Sequence, residues 1–407
     1  MRYYSHLNTA ASILDAYNGS VPFHHFLRDF LRASKKYGSA DRRNISRLCY
    51  VTFRLGKAFP DWSISDRMLA GLLLCTNSRD NLTDFLLPAK EVSVEASVDY
   101  KWSQLASLYA NGKSPSTFSV DDLQENQHET TPGIESIFPS HTGFSPGLNS
   151  EAFHKSFFTQ PDLFIRIRPG KAKSVTQKLR QHNILFETLP PDAVRLPAGT
   201  KLEEIFIADR DIVIQDYSSQ RTAELLSGLA PKTVWDACAA SGGKSLLVWD
   251  MLNRIELTVS DVRSSIIVNL RKRFQQAGIA RYKAAVADLS TDAPLPFLVA
   301  PDLVIADLPC SGSGTWSRTP EQLAFFEPAS IEYYQQLQQK ILRRLSKQLS
   351  NGAHMLFITC SVFKSENEDN VTFMEEQLGL KCLRQQLITG YEHRADTMFA
   401  ALLQSKS

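Results

Sequence analysis

Over residues 1–110 apolar positions recur at helical spacing, and the pattern predicts an all-helical domain. Ala11, Ile13, Leu14 and Tyr17 mark one helix over 8–17, with Gly19 as its stop. Phe23, Phe26, Leu27, Phe30 and Leu31 repeat at i, i+3, i+4, i+7, i+8 up to Gly38. Ser39 is placed to cap the next helix, whose inner face holds Ile45, Leu48, Cys49 and Phe53, and a further helix follows Asp61. Cys49 and Cys75 fall on these apolar faces and read as small core residues.

Residues 111–150 turn to Ser, Thr, Pro, Gly, Asn and Asp with few aliphatics, the composition of a linker or long loop. A small α+β module is expected over 151–225. Residues 163–168 alternate apolar and basic side chains, Pro169-Gly170 breaks that strand, 174–182 make a short basic helix, and 193–196 and 212–214 supply further strands. From 226 to 407 strand and helix alternate, which predicts a doubly wound α/β domain. Its strands are expected at 233–237 and 257–260, at a third segment ending near Asp288, and at 303–306 and 354–358. Helices are expected over 264–277 and 330–349, the second stopped by Asn351-Gly352.

The composition of the 407 residues, 43% hydrophobic and 22% charged, is that of a globular chain with room for two or three domains. No apolar run approaches the ~18 residues of a membrane span, and Leu69 to Cys75 is the longest candidate. The first residues lack the apolar stretch of a signal peptide, so the expected address is cytoplasmic. The six cysteines form no Cys-x-x-Cys pair, which argues against zinc, and a chain of this length without a secretory signal does not read as a disulfide scaffold. His24 and His25 are helix neighbours whose side chains diverge, so they read as surface or packing residues rather than ligands.

Lys and Arg number 45 against 43 Asp and Glu, but the charge is clustered. Residues 28–47 hold seven basic and two acidic side chains, 162–180 six and one, and 263–283 six and none. Any one cluster is accounted for by a solvated helix face. Three in a nearly neutral chain tilt the reading toward a phosphate backbone.

Open α/β sheets bind ligands at the carboxyl ends of their strands. Asp236, Asp261, Asp288, Asp307, Cys310 and Cys360 all fall at or just after expected strand ends. Helix capping accounts for one or two such residues, not for the set. The first strand runs into Asp236-Ala-Cys-Ala-Ala-Ser-Gly-Gly-Lys244-Ser245, where Gly242-Gly243 allow close backbone approach to a ligand. A phosphate-binding P-loop needs glycine at 238, which is Cys, and Gly-x-Gly-x-x-Gly is absent. Asp261 suits a carboxylate accepting from ribose hydroxyls. A nucleoside cofactor without a phosphate cradle fits, S-adenosylmethionine first.

Cys310, in Asp307-Leu-Pro-Cys310-Ser-Gly-Ser-Gly, and Cys360, in Ile358-Thr-Cys360-Ser, then point to a reaction class. Carbon 5 of cytosine is a poor nucleophile. A thiolate adding at carbon 6 pushes electron density onto carbon 5, which then takes a methyl group. A second group must assist loss of the carbon-5 proton, and a carboxyl near the ring nitrogens stabilises the adduct. Each cysteine alone reads as a small buried hydrophobe, but together they answer these demands.

Residues 236–244, 307–314 and Thr359-Cys360-Ser361 with Glu366-Asn367-Glu368 resemble the RNA 5-methylcytosine methyltransferase family, in its bacterial RsmB type. The resemblance runs from Phe153 to the end of the chain. It implies a Rossmann-like S-adenosylmethionine-dependent methyltransferase domain over 226–407. Residues 160–169 and 215–220 look like the family's small RNA-binding module over 151–225, and 1–110 like its NusB-like helical domain. Carried over position by position, Cys360 matches the nucleophile, Cys310 the cysteine that releases product, and Asp307 a group close to both base and cofactor. Cys238, Ala239, Ala240, Ser241, Gly242, Gly243, Lys244, Asp261, Asp288 and Asp307 match cofactor contacts, with Lys244 adding positive charge between cofactor and Asp307. Ser241 departs from the family's usual Pro and is expected to loosen the loop. The implied partner is structured RNA, with no metal and no membrane. Ribosomal RNA is the expected substrate, transfer RNA an alternative, and a non-catalytic RNA-binding assembly factor a third reading.

Overall fold

The computed structural model describes residues 2–34, 36–87, 93–117, 131–139, 143–252, 254–296 and 300–406. Of the stretch expected as a linker, residues 118–130 and 140–142 lie outside these. The chain divides into two units: Met1–Thr142 with Asn149–Gln160 and Trp316–Glu327, and Gly143–Leu148 with Pro161–Thr315 and Pro328–Ser407.

The first unit is helical: α1 (Arg2–Ala16), α2 (Phe23–Ala33), α3 (Ser39–Phe53), α4 (Ile64–Cys75), α5 (Asn81–Leu86), α6 (Val98–Ala110) and α7 (Ser150–Ser156). Its core collects Leu7, Ile13, Phe23, Leu27, Leu31, Ile45, Leu48 and Cys49, with Cys75 packed at the margin. α1 starts six residues before the expected helix, and Leu7 from that extra turn enters the core. Gly38, not Ser39, takes the N-cap position of α3, because its N–H is closed by the Asp41 carboxylate at 3.1 Å and Ser39 becomes helical. α4 is capped by Ser63, which accepts from Asp66 N. A short helix far along the chain, Pro320–Phe325 (α12 in chain order), also belongs to this unit. Its Phe325 ring lies 5.3 Å from Tyr17, and nearby Trp316 stacks 5.6 Å from Phe138.

The second unit contains two sheets. In the smaller, β1 (Leu163–Ile167), β2 (Glu187–Leu189), β3 (Ala193–Leu196) and β4 (Ile212–Ile214) run antiparallel in the order β2-β3-β1-β4. α8 (Ala172–Gln181) sets Val175 and Leu179 on Ile165, Ile167, Val194 and Ile212, and α9 (Tyr217–Arg221) follows β4. β2 was not expected. It spans three largely exposed residues and carries no apolar signature.

The larger sheet has the order β10-β11-β9-β8-β5-β6-β7. Its strands are β5 (Thr233–Asp236), β6 (Glu256–Asp261), β7 (Tyr282–Val286), β8 (Leu303–Asp307), β9 (His354–Thr359), β10 (Leu380–Ile388) and β11 (Met398–Ser405). β5 to β9 are parallel, and β11 joins β9 and β10 antiparallel. The period-two alternation of the buried strands sorts residues to two faces. Val234, Ile305, Leu356 and Leu402 meet α10 (Gly243–Met251) and α11 (Ser264–Gln276). Trp235, Val304, Phe357 and Leu403 meet α13 (Ala329–Ser346) and α14 (Glu368–Gln377). β7 ends at Val286, two residues before the Asp288 expected to close it. From β7 at one edge the chain returns to β8 on the far side of β5, and the switch point between β5 and β8 puts the carboxyl ends of β5, β6, β8 and β9 where open α/β sheets bind ligands.

Candidate functional site

β8 and β9 are neighbours in register, Asp307 opposite Ile358, so the turns that follow them meet. Their cysteines arrive side by side, with Cys310 Sγ 3.3 Å from Cys360 Sγ. The hydrogen bond between the thiols, then burial, raises the Cys310 pKa well above the ordinary thiol range. Either sulfur can donate in this contact.

The two turns are braced from below. Glu366 is fully buried and accepts from Ser311 N at 2.8 Å, from Ser311 Oγ at 2.6 Å and from Ser361 Oγ, so one carboxyl group ties the residues that follow both cysteines. Asn367 accepts from Thr359 Oγ1 and donates to Ser361 O at 2.9 Å and Ser145 Oγ at 2.8 Å. Ser145 lies in the stretch read as a linker, but residues 143–145 pair with 362–364. Gly314 N donates to Cys360 O at 2.9 Å, and a Cβ there would lie 1.9 Å from Thr397 O, so only glycine fits.

Across the crevice, the turn after β5 is held by its own backbone and by Asp261. Ala239 N donates to Ser260 O at 2.8 Å, and Ala240 N, at φ +44, donates to Asp261 Oδ2 at 3.0 Å. Gly242 opens α10 at φ +88, and a Cβ there would meet the Phe274 ring at 2.7 Å, while the space over Gly243 is open. Burial pushes the Cys238 thiol up, which makes it an inert packing group. Lys244 is buried, and its Nζ lies 3.2 Å from Asp307 Oδ2 and donates to Ser219 Oγ at 2.7 Å. Ser241 was expected to loosen this turn. Instead Arg273 Nη1 donates to its carbonyl at 3.1 Å and to its hydroxyl at 3.0 Å.

Asp236 is fully buried. Its Oδ2 accepts from Ser245 Oγ at 2.5 Å, and its Oδ1 has no hydrogen-bond partner among the described residues. Burial raises its pKa to about 7. An unpartnered carboxylate oxygen, two further carboxylates at Asp261 and Asp307, and free space over Gly243 suit a ligand with hydroxyls and positive charge. The same carboxylates repel a phosphate. Asp261 already accepts from Arg263 N at 2.9 Å and Nε at 3.0 Å, and the Arg263 side chain is 57% exposed. Asp288 is exposed and uses Oδ1 on Ser290 N at 2.9 Å and Ser290 Oγ at 2.6 Å, as a capping aspartate does.

Two basic clusters are partly consumed inside the second unit. Arg166 and Arg168 both pair with Asp250, Arg263 with Asp261 and Arg273 with Asp209. Arg180, Arg271, Lys272, Arg281 and Lys283 remain exposed. His24 and His25 are exposed, but their rings lie 4.0 Å apart instead of diverging. Sequence reasoning named Asp236 at a strand end and Glu366 and Asn367 in a motif without giving them a role, and it left Ser219 and Ser145 out of the site. For Asp236 the strand-end position was a usable signal, whereas nothing local marks Ser145.

Residues 211–403 match the protein family described as 16S rRNA methyltransferase RsmB/F. The probable ribosomal RNA small subunit methyltransferase B of Synechocystis sp. is 28% identical over 224 residues, 53% of this chain and 50% of that one. Ribosomal RNA small subunit methyltransferase B of Xanthomonas campestris pv. campestris is 31% identical over 215 residues, 51% of this chain and 48% of that one. The chain thus spans about half the length of these curated relatives. Among solved structures, PH0851 aligns over 98% of both chains with a TM-score of 0.69 at 18% identity. NSun6 from Pyrococcus horikoshii, solved with SFG, aligns over 64% of this chain and 96% of that one with a TM-score of 0.55 at 15% identity. At these identities the structural likeness is one of fold alone.

Proposed function

Residues 211–403 carry a domain of the 16S rRNA methyltransferase RsmB/F family, and from that premise we propose that this chain methylates carbon 5 of a cytosine in 16S ribosomal RNA, with S-adenosylmethionine as methyl donor. One observation carries the reading: two thiols 3.3 Å apart where adjacent parallel strands end. Bound in the crevice, the donor supplies an electrophilic methyl group on a sulfonium. The turn 238–244 and Asp261 would hold it, Asp261 by accepting from its ribose hydroxyls, and the carboxylate of Asp236 would favour its positive charge.

The Cys360 thiolate adds to carbon 6 of the base and forms a C–S bond, which moves the ring electrons to carbon 5. Asp307, steadied by Lys244 Nζ at 3.2 Å, stabilises the altered ring. After carbon 5 is alkylated, the Cys310 sulfur, its own proton passed to solvent water, takes the carbon-5 proton as a thiolate. The C–S bond to Cys360 then breaks and its electrons restore the ring double bond. The exposed basic residues of α8 and α11 suit the RNA backbone, and a ribosomal RNA substrate goes with a cytoplasmic address.

The test is transfer of labelled methyl from S-adenosylmethionine to unmodified small-subunit RNA, with the modified base mapped. Cys360→Ala is expected to abolish transfer. Cys310→Ala is expected to accumulate an RNA–protein adduct stable in denaturing gels. A Cys310→Ala protein that turns over normally would overturn the division of roles, and methylation at another atom would overturn the choice of carbon 5.

A further inference from the structure

The turn 238–244 is gripped from outside the parallel sheet's own strands. Arg273, on α11, sends Nη1 to both oxygens of Ser241, at 3.1 and 3.0 Å. The rest of its guanidinium is engaged by Asp209, with Nε to Oδ2 at 2.9 Å and Nη2 to Oδ1 at 2.6 Å, a fork-to-fork pair that fixes the plane of the group. Asp209 is in the smaller module, in the turn before β4. It sits at φ +63, its N–H donates to Ile212 O at 2.7 Å, and its side chain is 8% exposed. Two further contacts run between the same parts: Gln215 Nε2 approaches Gly243 O at 3.5 Å, and Ser219 Oγ accepts from Lys244 Nζ at 2.7 Å. The turn is therefore clasped on its outer side by the module that precedes the methyltransferase sheet.

We propose that Arg273 and Asp209 are positioning residues for the cofactor turn, and that Ser241 is the point at which they act. The proposal rests on S-adenosylmethionine binding at this turn. The turn contains residues at positive φ on both sides of Ser241, Ala240 at +44 and Gly242 at +88, and such backbone holds one shape only when its surroundings dictate it. Arg273 supplies that constraint at the single intervening residue, with a charge-assisted hydrogen bond to each of its oxygens. Asp209 restricts Arg273 to the rotamer that reaches. Cofactor affinity is thereby set by a residue that lies in the upstream module and touches neither cofactor nor base.

The experiment measures S-adenosylmethionine binding by calorimetry for the full chain and for Ser241→Ala, Ser241→Thr and Asp209→Asn. Ser241→Ala is expected to weaken binding roughly 3- to 10-fold and Asp209→Asn roughly 10-fold, the size of one lost hydrogen bond to a charged group. Ser241→Thr, which keeps the hydroxyl, returns to within about 2-fold of the wild type. The double variant Ser241→Ala/Asp209→Asn is expected to fall short of the product of the single effects, since both act through Arg273. For Asp209→Asn, whose side chain lies outside the cofactor turn, kcat and the KM for RNA at saturating cofactor stay within about 2-fold. In the cofactor-free chain, amide hydrogens of residues 239–243 exchange faster in both single variants. Binding and exchange unchanged in Ser241→Ala and Asp209→Asn would overturn the proposal. A wild-type chain that fails to bind S-adenosylmethionine, while turn exchange still responds to the substitutions, would refute the functional reading and leave the positioning role standing.

Discussion

Asp236 shows what burying one half-satisfied carboxyl group costs in stability. It is fully buried, satisfied at one oxygen only, and burial raises its pKa to about 7. A carboxyl whose folded pKa is raised contributes its full stability below the unfolded value near 4, and that contribution is lost as pH rises through about 7. Asp236→Asn removes the titrating group but leaves an oxygen for Ser245. It is expected to melt a few degrees above the wild type at pH 8 and to match it near pH 4. Its affinity for S-adenosylmethionine should fall by at least about 10-fold, as loss of a buried charged contact implies. Thermal melts across that pH range and calorimetry at pH 8 check both halves. Glu366 illustrates the same scale in a different role, since one carboxyl group holds Ser311 and Ser361 and through them the turns that carry Cys310 and Cys360.

At the scale of elements, the parallel strands were readable because each is a short apolar run entered and left by polar residues. β11 was missed because its run, Met398-Phe-Ala-Ala-Leu-Leu403, contains no β-branched residue to mark it as a strand. Met398 to Leu403 is continuously buried, and an unbroken apolar run carries neither a period of two nor one of 3.6. β10 is an edge strand with polar residues on much of its length and a register shift between Cys382 and Arg384, so its alternation is weak. These two strands nonetheless shape the site. Thr397, just before β11, donates its N–H to Gly314 O at 2.9 Å, and the Gly314 N–H in turn holds Cys360 O. Gly314→Ala would put its methyl 1.9 Å from Thr397 O, a backbone atom that cannot rotate away. The expected outcome is destabilisation by about 3 kcal/mol and a displaced Cys310 turn, read as a lower denaturation midpoint and at least about 100-fold slower methyl transfer.

For the whole molecule, sequence order and packing order differ. Trp316 to Glu327 lies between β8 and α13, yet it belongs with the helical unit, where Trp316, Leu323 and Phe326 are buried. A chain cut to residues 161–407 keeps that segment and loses its packing partners. It is expected to expose these side chains and to self-associate at micromolar concentration, where the full chain stays dispersed. Sedimentation velocity on the two proteins checks this. A truncated chain as dispersed and as stable as the full one would show that the burial of Trp316 contributes nothing. Among the described residues no helix is long and apolar enough to cross a membrane.

From the sequence alone followed the α/β class, five parallel strands, the glycine-bearing turn after β5 and the two cysteines at strand ends. All are local or periodic properties, set by side-chain alternation and by residues a few positions apart. The tertiary structure alone decided what reaches across. It brought Cys310 within 3.3 Å of Cys360, put Glu366 beneath both turns and placed Ser145 against Asn367. It also turned Arg166 and Arg168 inward onto Asp250, where a count of basic residues had suggested a surface for RNA. A charge run records how many cations a segment has. Which of them meet solvent depends on where a distant carboxylate folds back, and no local pattern encodes that.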